Sequence, residues 1–304
     1  MKKIIVLLGP TAVGKTKIAI ELALALDGEI VSADSMQLYK KMSIGSAKPT
    51  PEEMSLVPHH LVDEIDPGEH FSAAQYQKLA NAAIEDILSR GKVPIIAGGT
   101  GLYINALIYK MNFGENPRNL AFREEMEALA ETQGKEAVHR LLAEKDAIGA
   151  ERIHPNNLKK VIRGLERVCE EGNIKTFEES FQPTEDYDVV LIGLKRDREE
   201  IYTRINERVD QFIEQGLIKE VEGLIDDGLT IDNISMLGIG YKEIYDYIQG
   251  ETDLERAITL IKQNSRHLAK RQMTWFKRYE GVTWFDLSYL QSPEEEILKW
   301  LKNN

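Results

Sequence analysis

LLGPTAVGKT, at residues 7–16, is the most informative short segment of this chain. Its spacing from Gly9 to Thr16 is G-x-x-x-x-G-K-T, the pattern of a P-loop, in which backbone amides and a helix N-terminus hold a phosphate group. The β-branched run KIIVLLG before it predicts a buried strand, and KTKIAIELALALDG after it predicts a helix. The segment therefore predicts a phosphate-binding strand–loop–helix unit, and it leaves open which molecule carries the phosphate.

The composition is that of an ordinary globular protein. The 304 residues are 29% charged and 42% hydrophobic, and the net charge of −12 argues against a non-specific nucleic-acid binder. One cysteine, Cys169, excludes an internal disulfide framework and suits a reducing compartment, and the six histidines lack the spacing of a transition-metal site. The apolar start of the chain stops at Gly9, and no apolar run approaches the roughly 20 residues that span a bilayer. We expect a cytoplasmic protein without a membrane segment.

The order of the predicted elements indicates the fold. Strands EIVSAD and VPIIAGG alternate with helices in the first third, which is typical of a parallel sheet covered on both faces. From residue 114 to residue 186 only amphipathic helices are predicted, and DVVLIGLK then returns as a strand. The sequence predicts an α/β fold with a P-loop kinase-like parallel-sheet core, residues 1–113 and 187–304, and a helical insertion domain, residues 114–186.

Ligands of such sheets bind at the carboxyl ends of the strands, where Asp34 and Thr100 follow two of the predicted strands. Asp34 could contact a nucleoside as in a kinase, bind a metal, act as a general base, or simply cap a helix. Gln37 has the donors and the acceptor needed to read a base edge. Thr100, between the glycines of AGGTG, could donate to an oxyanion or cap the following helix.

Two arginines lie four residues apart on one predicted helix. Arg204 and Arg208 share a helix face, and two guanidiniums facing a P-loop would suit a leaving diphosphate. The alternative is a solvent-exposed pair that bonds to Glu200 or Glu207.

The segment IKQNSRHLAKRQMTWFKRY, residues 261–279, carries six basic residues and no acidic one. Trp275, Phe276 and Tyr279 are interleaved with them. Basic residues with aromatic residues between them could seat a nucleic-acid strand. The alternative is a helix with a solvated basic face and aromatic residues in the core.

Seven segments in this order resemble the bacterial tRNA isopentenyltransferase family, also called tRNA dimethylallyltransferases. They are GPTAVGKT, DSMQLYKKMSIGSAKP, PHHLVDEIDP, AGGTGLY, RGLE, LGIGYKE and KRQMTWF, from residue 9 to about residue 279. The resemblance implies that the P-loop holds dimethylallyl diphosphate and that the prenyl group passes to N6 of adenosine 37 in tRNA, which gives N6-isopentenyladenosine and diphosphate. It also fits PIIAGG, which ends in glycine where a P-loop NTPase has a Mg²⁺-holding Asp.

The resemblance implies roles for particular residues. Asp34 takes the N6 proton as general base, Lys15 holds the diphosphate, and Thr100 with an arginine, Arg208 rather than Arg204, stabilises the leaving oxygen. Thr16 binds Mg²⁺ beside the diphosphate. The implied diphosphate site comprises Gly9, Pro10, Thr11, Ala12, Val13, Gly14, Lys15, Thr16 and Arg204.

The resemblance also implies a partner. The insertion should clamp an anticodon stem-loop with adenosines 36, 37 and 38, the basic segment becomes part of the tRNA surface, and a monomer is expected. The implied tRNA contacts are Asp34, Ser35, Met36, Gln37, Thr100, Arg123, Lys159, Lys160, Val161, Ile162, Arg163, Gly238, Gly240, Tyr241, Lys242 and Arg271. Lys159 and Lys160 replace an Asp and an Arg that the family often carries, which keeps positive charge for phosphate contact.

Three alternatives remain on the sequence alone. A P-loop nucleotide or small-molecule kinase shares the loop and the sheet, with the insertion as a lid, and predicts ATP turnover. An isopentenyltransferase acting on free adenylate would not need the large insertion or the basic segment, which both favour tRNA. A non-catalytic RNA-binding protein would not need Lys15, Thr16 and Asp34 together.

Overall fold

The computed structural model describes residues 2–111, 120–172, 174 and 182–303. The chain forms two compact units: unit 1 is Met1–Ile108 with Thr184–Asn304, and unit 2 is Tyr109–Pro183. The predicted boundary between residues 113 and 114 lies outside the described residues. The predicted boundary at residue 186 lies close to Thr184, where the chain returns from unit 2 to unit 1. No helix in the described ranges has both the length and the apolar character needed to cross a membrane.

Unit 1 is built on one parallel sheet, which confirms the predicted α/β fold class. Within the described residues its strands are β1 Lys3–Leu8, β2 Gly28–Ala33, β3 His59–His60, β4 Val93–Gly98, β5 Asp188–Lys195 and β6 Thr283–Asp286. Their order is β3-β2-β4-β1-β5-β6, and every pairing is parallel. Strand β3 was not predicted, because two residues are too few to show a strand pattern.

Helices cover the sheet of unit 1. They are α1 Lys15–Leu26, α2 Pro51–Leu56, α3 Ala73–Ser89, α4 Gly101–Ile108, α9 Arg198–Gln215, α10 Leu217–Asp226, α11 Tyr241–Ile248, α12 Leu254–Phe276 and α13 Pro293–Asn303, with a 3₁₀ turn at Ile234–Leu237. The central strand β1 is buried from Ile4 to Leu8, as expected for a strand covered on both faces. A second apolar cluster, which includes Leu217 and Tyr241, packs α9 to α12 together.

Unit 2 has its own core. Its helices are α5 Leu120–Gln133, α6 Lys135–Lys145, α7 Ala147–Glu151 and α8 Leu158–Glu171. Val138, Leu142 and Leu165 are among the buried side chains that hold these helices together. The chain enters and leaves unit 2 side by side, since Tyr109 forms an antiparallel bridge with Pro183. Unit 2 is therefore an insertion whose two ends lie next to each other in space.

Candidate active site

Three loops start side by side at the carboxyl edge of the sheet. Leu8 at the end of β1 and Ala33 at the end of β2 both pair with Gly98 at the end of β4. Gly98 must be glycine, because a Cβ atom there would overlap the backbone of Ala33. The structure therefore brings the P-loop, Asp34 and Thr100 together, as their positions after strands predicted.

The P-loop is held by side chains that bind its carbonyl oxygens. Lys15 Nζ donates to the carbonyls of Gly9, at 2.9 Å, and Pro10, at 2.8 Å. Arg204 Nε donates to the Ala12 carbonyl at 2.8 Å, and Arg196 Nε donates to the Val13 carbonyl at 3.0 Å. Three cationic side chains thus fix the loop from Gly9 to Val13, which presets it for an anion.

The turn into α1 depends on left-handed backbone. Gly14 precedes the helix with φ of 108°, and Ala12 has φ of 63°. An L side chain rarely adopts a φ near Gly14's, so glycine is required at that position. Lys15 and Thr16 then occupy the first turn of α1, where the positive end of the helix dipole favours an anion.

The ammonium group of Lys15 has a pKa well below its usual value. Burial lowers its pKa to about 8, the nearby Arg208 lowers it as well, and the carboxylate of Asp34 opposes both. A bound diphosphate would favour the charged form, because an opposite charge raises the pKa of an ammonium group.

Asp34 lies beside these cations. Its Oδ1 accepts a hydrogen bond from the Met36 amide at 2.9 Å, so it caps a turn rather than a helix. Burial raises the pKa of Asp34, and the Met36 amide and the charges of Lys15 and Arg208 oppose that rise. A carboxylate whose pKa lies above its usual range is closer to the value that suits a general base near neutral pH.

Thr100 serves two loops at once. Its Oγ1 accepts the Ser35 amide at 3.0 Å, and its own amide donates to the Ala33 carbonyl at 3.0 Å. The Thr100 carbonyl accepts the Ile104 amide in the first turn of α4 at 3.1 Å. Thr100 therefore lies at the start of the helix and ties it to the Asp34–Ser35 backbone.

Arg208, on α9, faces the acidic and basic groups of the site. Burial and the neighbouring Arg204 lower its pKa, and Asp34 raises it. Arg204 supports the loop through Ala12, and Glu200 pairs with Arg196 rather than with Arg204 or Arg208. The two arginines thus turn toward the P-loop, and the alternative of solvent-exposed pairing does not describe them.

A cavity of about 50 Å³ connects the polar groups with an apolar wall. Lys15, Thr16 and Asp34 lie on its polar side, and Ala19, Ile30, Pro49 and Ala97 supply the apolar side; the remaining lining residues are Ser32, Gln37, His59 and Gly98. A small ligand with a charged head and a short hydrocarbon tail matches this division.

Gln37 is held by the protein. Its Oε1 accepts from Ser32 Oγ at 2.9 Å, and its Nε2 donates to the Ala47 carbonyl at 3.1 Å. Its predicted contact with a base stays a prediction. Neighbouring Met36 packs against Gly238, where a Cβ atom would overlap its Cε, so the loop before α11 adjoins the loop after β2.

Three of the residues predicted to contact tRNA have buried side chains in this structure, and their contacts with tRNA stay predictions. Val161 and Ile162 are buried in the core of unit 2, and Tyr241 is buried in unit 1, where its hydroxyl donates to Glu220 at 2.7 Å. The prediction took whole contiguous stretches, whereas helical periodicity turns some residues of each stretch inward. The backbone amide of Gly240, another predicted contact, donates to the side-chain carboxylate of Glu243 at 2.7 Å.

The other predicted tRNA-contacting side chains remain accessible to different degrees. Lys159, Lys160, Arg163, Lys242 and Arg271 are exposed. Arg123 forms a two-pronged pair with Glu166, at 2.6 and 2.7 Å, and Lys242 pairs with Asp246 at 2.6 Å. These residues stay predictions as tRNA contacts.

In the basic segment the aromatic side chains pack inward, as in the second alternative, and the predicted contact of its basic side chains with tRNA stays a prediction. Phe276 and Tyr279 are buried, and Trp275 packs against Gly101, so the aromatic residues belong to the core. The exposed side of α12 and the residues just after it carry Lys270, Arg271 and Lys277. The outer side of this segment therefore presents cations rather than fully exposed aromatic rings.

Sequence reasoning missed three residues of the site: His59, Arg196 and Gln272. His59 lines the cavity and Arg196 holds Val13, while Gln272 accepts the Thr11 amide at 2.8 Å. The predicted contact of Thr11 with diphosphate stays a prediction. PHHLVDEIDP and KRQMTWF contain two of these residues, but nothing in their spacing shows which loop they reach.

The fold and the site define a P-loop α/β protein with a carboxylate and two arginines at its anion-binding loop. The chain belongs to the IPP transferase family, whose model matches residues 37–279. It is 49% identical to the tRNA dimethylallyltransferase of Alkaliphilus oremlandii (strain OhILAs), covering 100% of this chain and 98% of the relative. It is 51% identical to that of Exiguobacterium sp. (strain ATCC BAA-1283 / AT1b), covering 94% and 92%.

Solved structures agree with this assignment. The tRNA isopentenylpyrophosphate transferase of Bacillus halodurans matches with a TM-score of 0.76 and 45% identity, over 100% of this chain and 96% of that one. A eukaryotic dimethylallyltransferase acting on tRNA matches with a TM-score of 0.84 and 28% identity, over 100% and 79%.

Proposed function

We propose that the chain is a tRNA dimethylallyltransferase that moves the dimethylallyl group of dimethylallyl diphosphate to N6 of adenosine 37. The observation that carries this proposal is the shared cavity, in which a carboxylate with a raised pKa, Asp34, lies beside the P-loop Lys15. The family and the similar proteins named tRNA dimethylallyltransferase support it. A kinase would share the P-loop, but these relatives do not favour one.

The reaction is a displacement at carbon 1 of the prenyl group. The N6–C1 bond forms while the C1–O bond breaks, and the electron pair of the broken bond leaves with the diphosphate. Lys15 and Arg208 stabilise the charge that develops on the leaving oxygen. The proton lost from N6 passes to the carboxylate of Asp34, so the products are N6-isopentenyladenosine and diphosphate.

Thr100 contacts the backbone next to Asp34 and can also contact the prenyl donor. Its hydroxyl holds the Ser35 amide, directly after Asp34, and can reorient to donate toward an oxygen of the donor. The target base must leave the anticodon loop to reach a cavity beside Asp34, as enzymes acting on a base within a folded nucleic acid require.

Mg²⁺ is the cofactor that we propose. Within the described residues no group of three or more His, Cys, Asp or Glu side chains could hold a metal. The Thr16 hydroxyl nevertheless places a hard oxygen donor on the cavity, and Mg²⁺ is commonly bound by one or two protein groups together with substrate phosphates. When bound, the ion would neutralise charge on the diphosphate.

The exposed cations are the surface that we propose for the tRNA. In unit 1 they include Lys270, Arg271 and Lys277, and in unit 2 Lys159, Lys160 and Arg163. The backbone phosphates of an anticodon stem would be their ligands. We place the protein in the cytoplasm, where tRNA is its substrate.

The test is a nucleoside analysis by mass spectrometry. Unmodified tRNA with adenosines 36, 37 and 38 is incubated with the protein, Mg²⁺ and dimethylallyl diphosphate, then digested. We expect N6-isopentenyladenosine at position 37 and no consumption of ATP. An adduct formed on AMP but not on tRNA would support the free-adenylate enzyme, and ATP turnover without any adduct would support the kinase.

A further inference from the structure

Gln272, on the buried side of α12, bridges two loops of the site. Its Oε1 accepts the Thr11 amide of the P-loop at 2.8 Å, and its Nε2 donates to the Gly99 carbonyl after β4 at 3.0 Å. The side chain is 9% exposed. Its orientation is set by chemistry, because the reversed amide would place two donors together at Thr11 and two acceptors together at Gly99.

The bridge belongs to a continuous docking face of α12 and the turn after it. Gln272, Trp275 and Tyr279 follow the i, i+3, i+7 spacing of one helix face. A Cβ atom at Gly99 would overlap Gln272, and one at Gly101 would overlap Trp275. The glycines on each side of Thr100 therefore allow this face to approach the backbone.

The two bridged loops carry opposite halves of the proposed reaction. The P-loop holds the leaving group, whereas Gly99 directly precedes Thr100, which is tied to Ser35 and so to the loop of Asp34. Both loops start from neighbouring strands, because Leu8 of β1 pairs with Gly98 of β4. The Gln272 side chain adds a direct bridge between the two loops beyond the ends of those strands.

We propose that Gln272 is a positioning residue for the transfer reaction, which fixes the diphosphate loop at the distance from Thr100 that in-line displacement needs. This inference rests on the proposed function. Lys15, Arg204 and Arg196 still hold the carbonyls of the P-loop when Gln272 is replaced. Loss of the bridge should therefore affect the chemical step more than the affinity for diphosphate, since misplacement by about 1 Å can cost about 10²-fold in rate.

The first experiment compares Gln272→Met, which removes both hydrogen bonds at similar volume, with Gln291→Met, at an exposed position before α13. We expect kcat for tRNA to fall about 10- to 100-fold in the first variant, with the Kd for inorganic diphosphate within about threefold of the parent. Gln291→Met should match the parent. A Gln272→Met variant with unchanged kcat, or with its whole loss in Kd, overturns the proposal.

The second experiment uses Gln272→Glu and its pH profile. A carboxylate can accept the Thr11 amide but cannot donate to the Gly99 carbonyl, whereas a protonated carboxyl group can do both. The kcat of this variant relative to the parent should therefore rise as pH falls, and Gln291→Glu should show a constant ratio. A constant ratio for Gln272→Glu would contradict the bridge.

Hydrogen exchange separates this inference from the proposed function. Exchange of the P-loop peptide should quicken in Gln272→Met, while that of β2 stays the same. If the parent transfers no prenyl group, the proposed function and the positioning role both fail, even where exchange shows that the bridge exists. If the parent is active and Gln272→Met is equally active, only the positioning role fails.

Discussion

The side chain of Asp34 lies in a buried position, where a negative charge is unfavourable. Burial raises its pKa, while Lys15, Arg208 and the Met36 amide favour the ionised form. The same cations stabilise the leaving diphosphate in the proposed reaction. Base and leaving-group site are therefore electrostatically coupled, which is a common arrangement at catalytic sites.

Replacing Asp34 tests the general base. Asp34→Asn keeps the shape and an acceptor for the Met36 amide but cannot take the N6 proton. We expect kcat to fall about 10²- to 10⁴-fold while the affinity for tRNA stays near that of the parent. Single-turnover transfer and filter binding measure the two quantities. A variant that transfers at the parental rate would refute the assignment.

Lys15 predicts the alkaline limb of the pH profile. Its pKa of about 8 means that the free protein loses this charge as pH rises through about 8. Diphosphate binds the charged form, so kcat/KM for dimethylallyl diphosphate should decline above that pH. The raised pKa of Asp34 acts on the other side, because the base is lost as pH falls. Lys15→Arg, which stays charged, should remove the alkaline limb; persistence of the limb would assign it to another group.

At the scale of elements, Glu29 joins four parts of the sheet layer. This buried carboxylate, at the start of β2, is bonded to Arg90 after α3, with Nη2–Oε2 at 2.7 Å. It also bonds His60 of β3, at 2.8 Å, and Lys92 before β4, at 3.2 Å. Arg90, with His60 and Lys92, holds the pKa of Glu29 far below its usual range. The cluster lies at the end of β2 opposite to Asp34.

Glu29→Gln should lower stability by about 2 kcal/mol at neutral pH, because charged hydrogen bonds are lost. The folded pKa is depressed, so the contribution is fully present above the unfolded pKa of about 4.3 and is lost as pH falls below it. The difference from the parent should therefore shrink between about pH 5 and about pH 3. Urea midpoints measure it, with the exposed Glu280→Gln as control. A difference that does not depend on pH would exclude the ionic cause.

The two sides of α12 have different tasks. The buried side docks on the loop after β4, and the exposed side presents Lys270 and Arg271. Lys270→Ala with Arg271→Ala should weaken tRNA binding and reduce the salt slope by about 0.7 to 0.9 per lost phosphate contact. Lys299→Ala with Lys302→Ala, on α13, removes the same charge elsewhere. Equal salt slopes for the two double variants would show that α12 does not bind tRNA.

At the scale of the whole molecule, the insertion is a separable unit. Unit 2 has its own core. The two points at which the chain leaves and re-enters unit 1 lie next to each other in space, since the Thr184 amide donates to the Ile108 carbonyl at 2.9 Å. A short linker can therefore replace residues 109–183 without straining unit 1. The P-loop, Asp34 and Thr100 all lie in the part that remains.

Removal of the insertion should separate donor binding from tRNA modification. With residues 109–183 replaced by a Gly-Ser linker, we expect the Kd for inorganic diphosphate to stay within about threefold of the parent. Transfer to tRNA should fall by at least about 10²-fold, because the proposed phosphate contacts of Lys159, Lys160 and Arg163 would be lost. Calorimetry and the nucleoside assay measure these effects. Retained transfer would show that unit 2 is not needed for tRNA recognition.

The sequence by itself determined the features that local patterns encode. A fixed spacing of glycine, lysine and threonine specifies the P-loop, and short apolar runs specify four of the five longer strands. The chemistry-bearing loops follow the carboxyl ends of these strands. Asp34 and Thr100 were found because each follows a strand. The burial of Val161 and Tyr241 was not predicted, because a contiguous motif does not show which of its side chains turn inward.

Only the tertiary structure decided which side chains hold the P-loop. Gln272 meets Thr11 across 261 positions of sequence, and Arg204 meets Ala12 across 192. Such contacts depend on how helices pack on the sheet, and no local spacing encodes them. The pKa values of Lys15 and Asp34 were likewise set by burial and by Arg208 from a distant helix. Local spacing thus supplied the reacting groups, and packing supplied their orientation and charge, because both depend on neighbours remote in the chain.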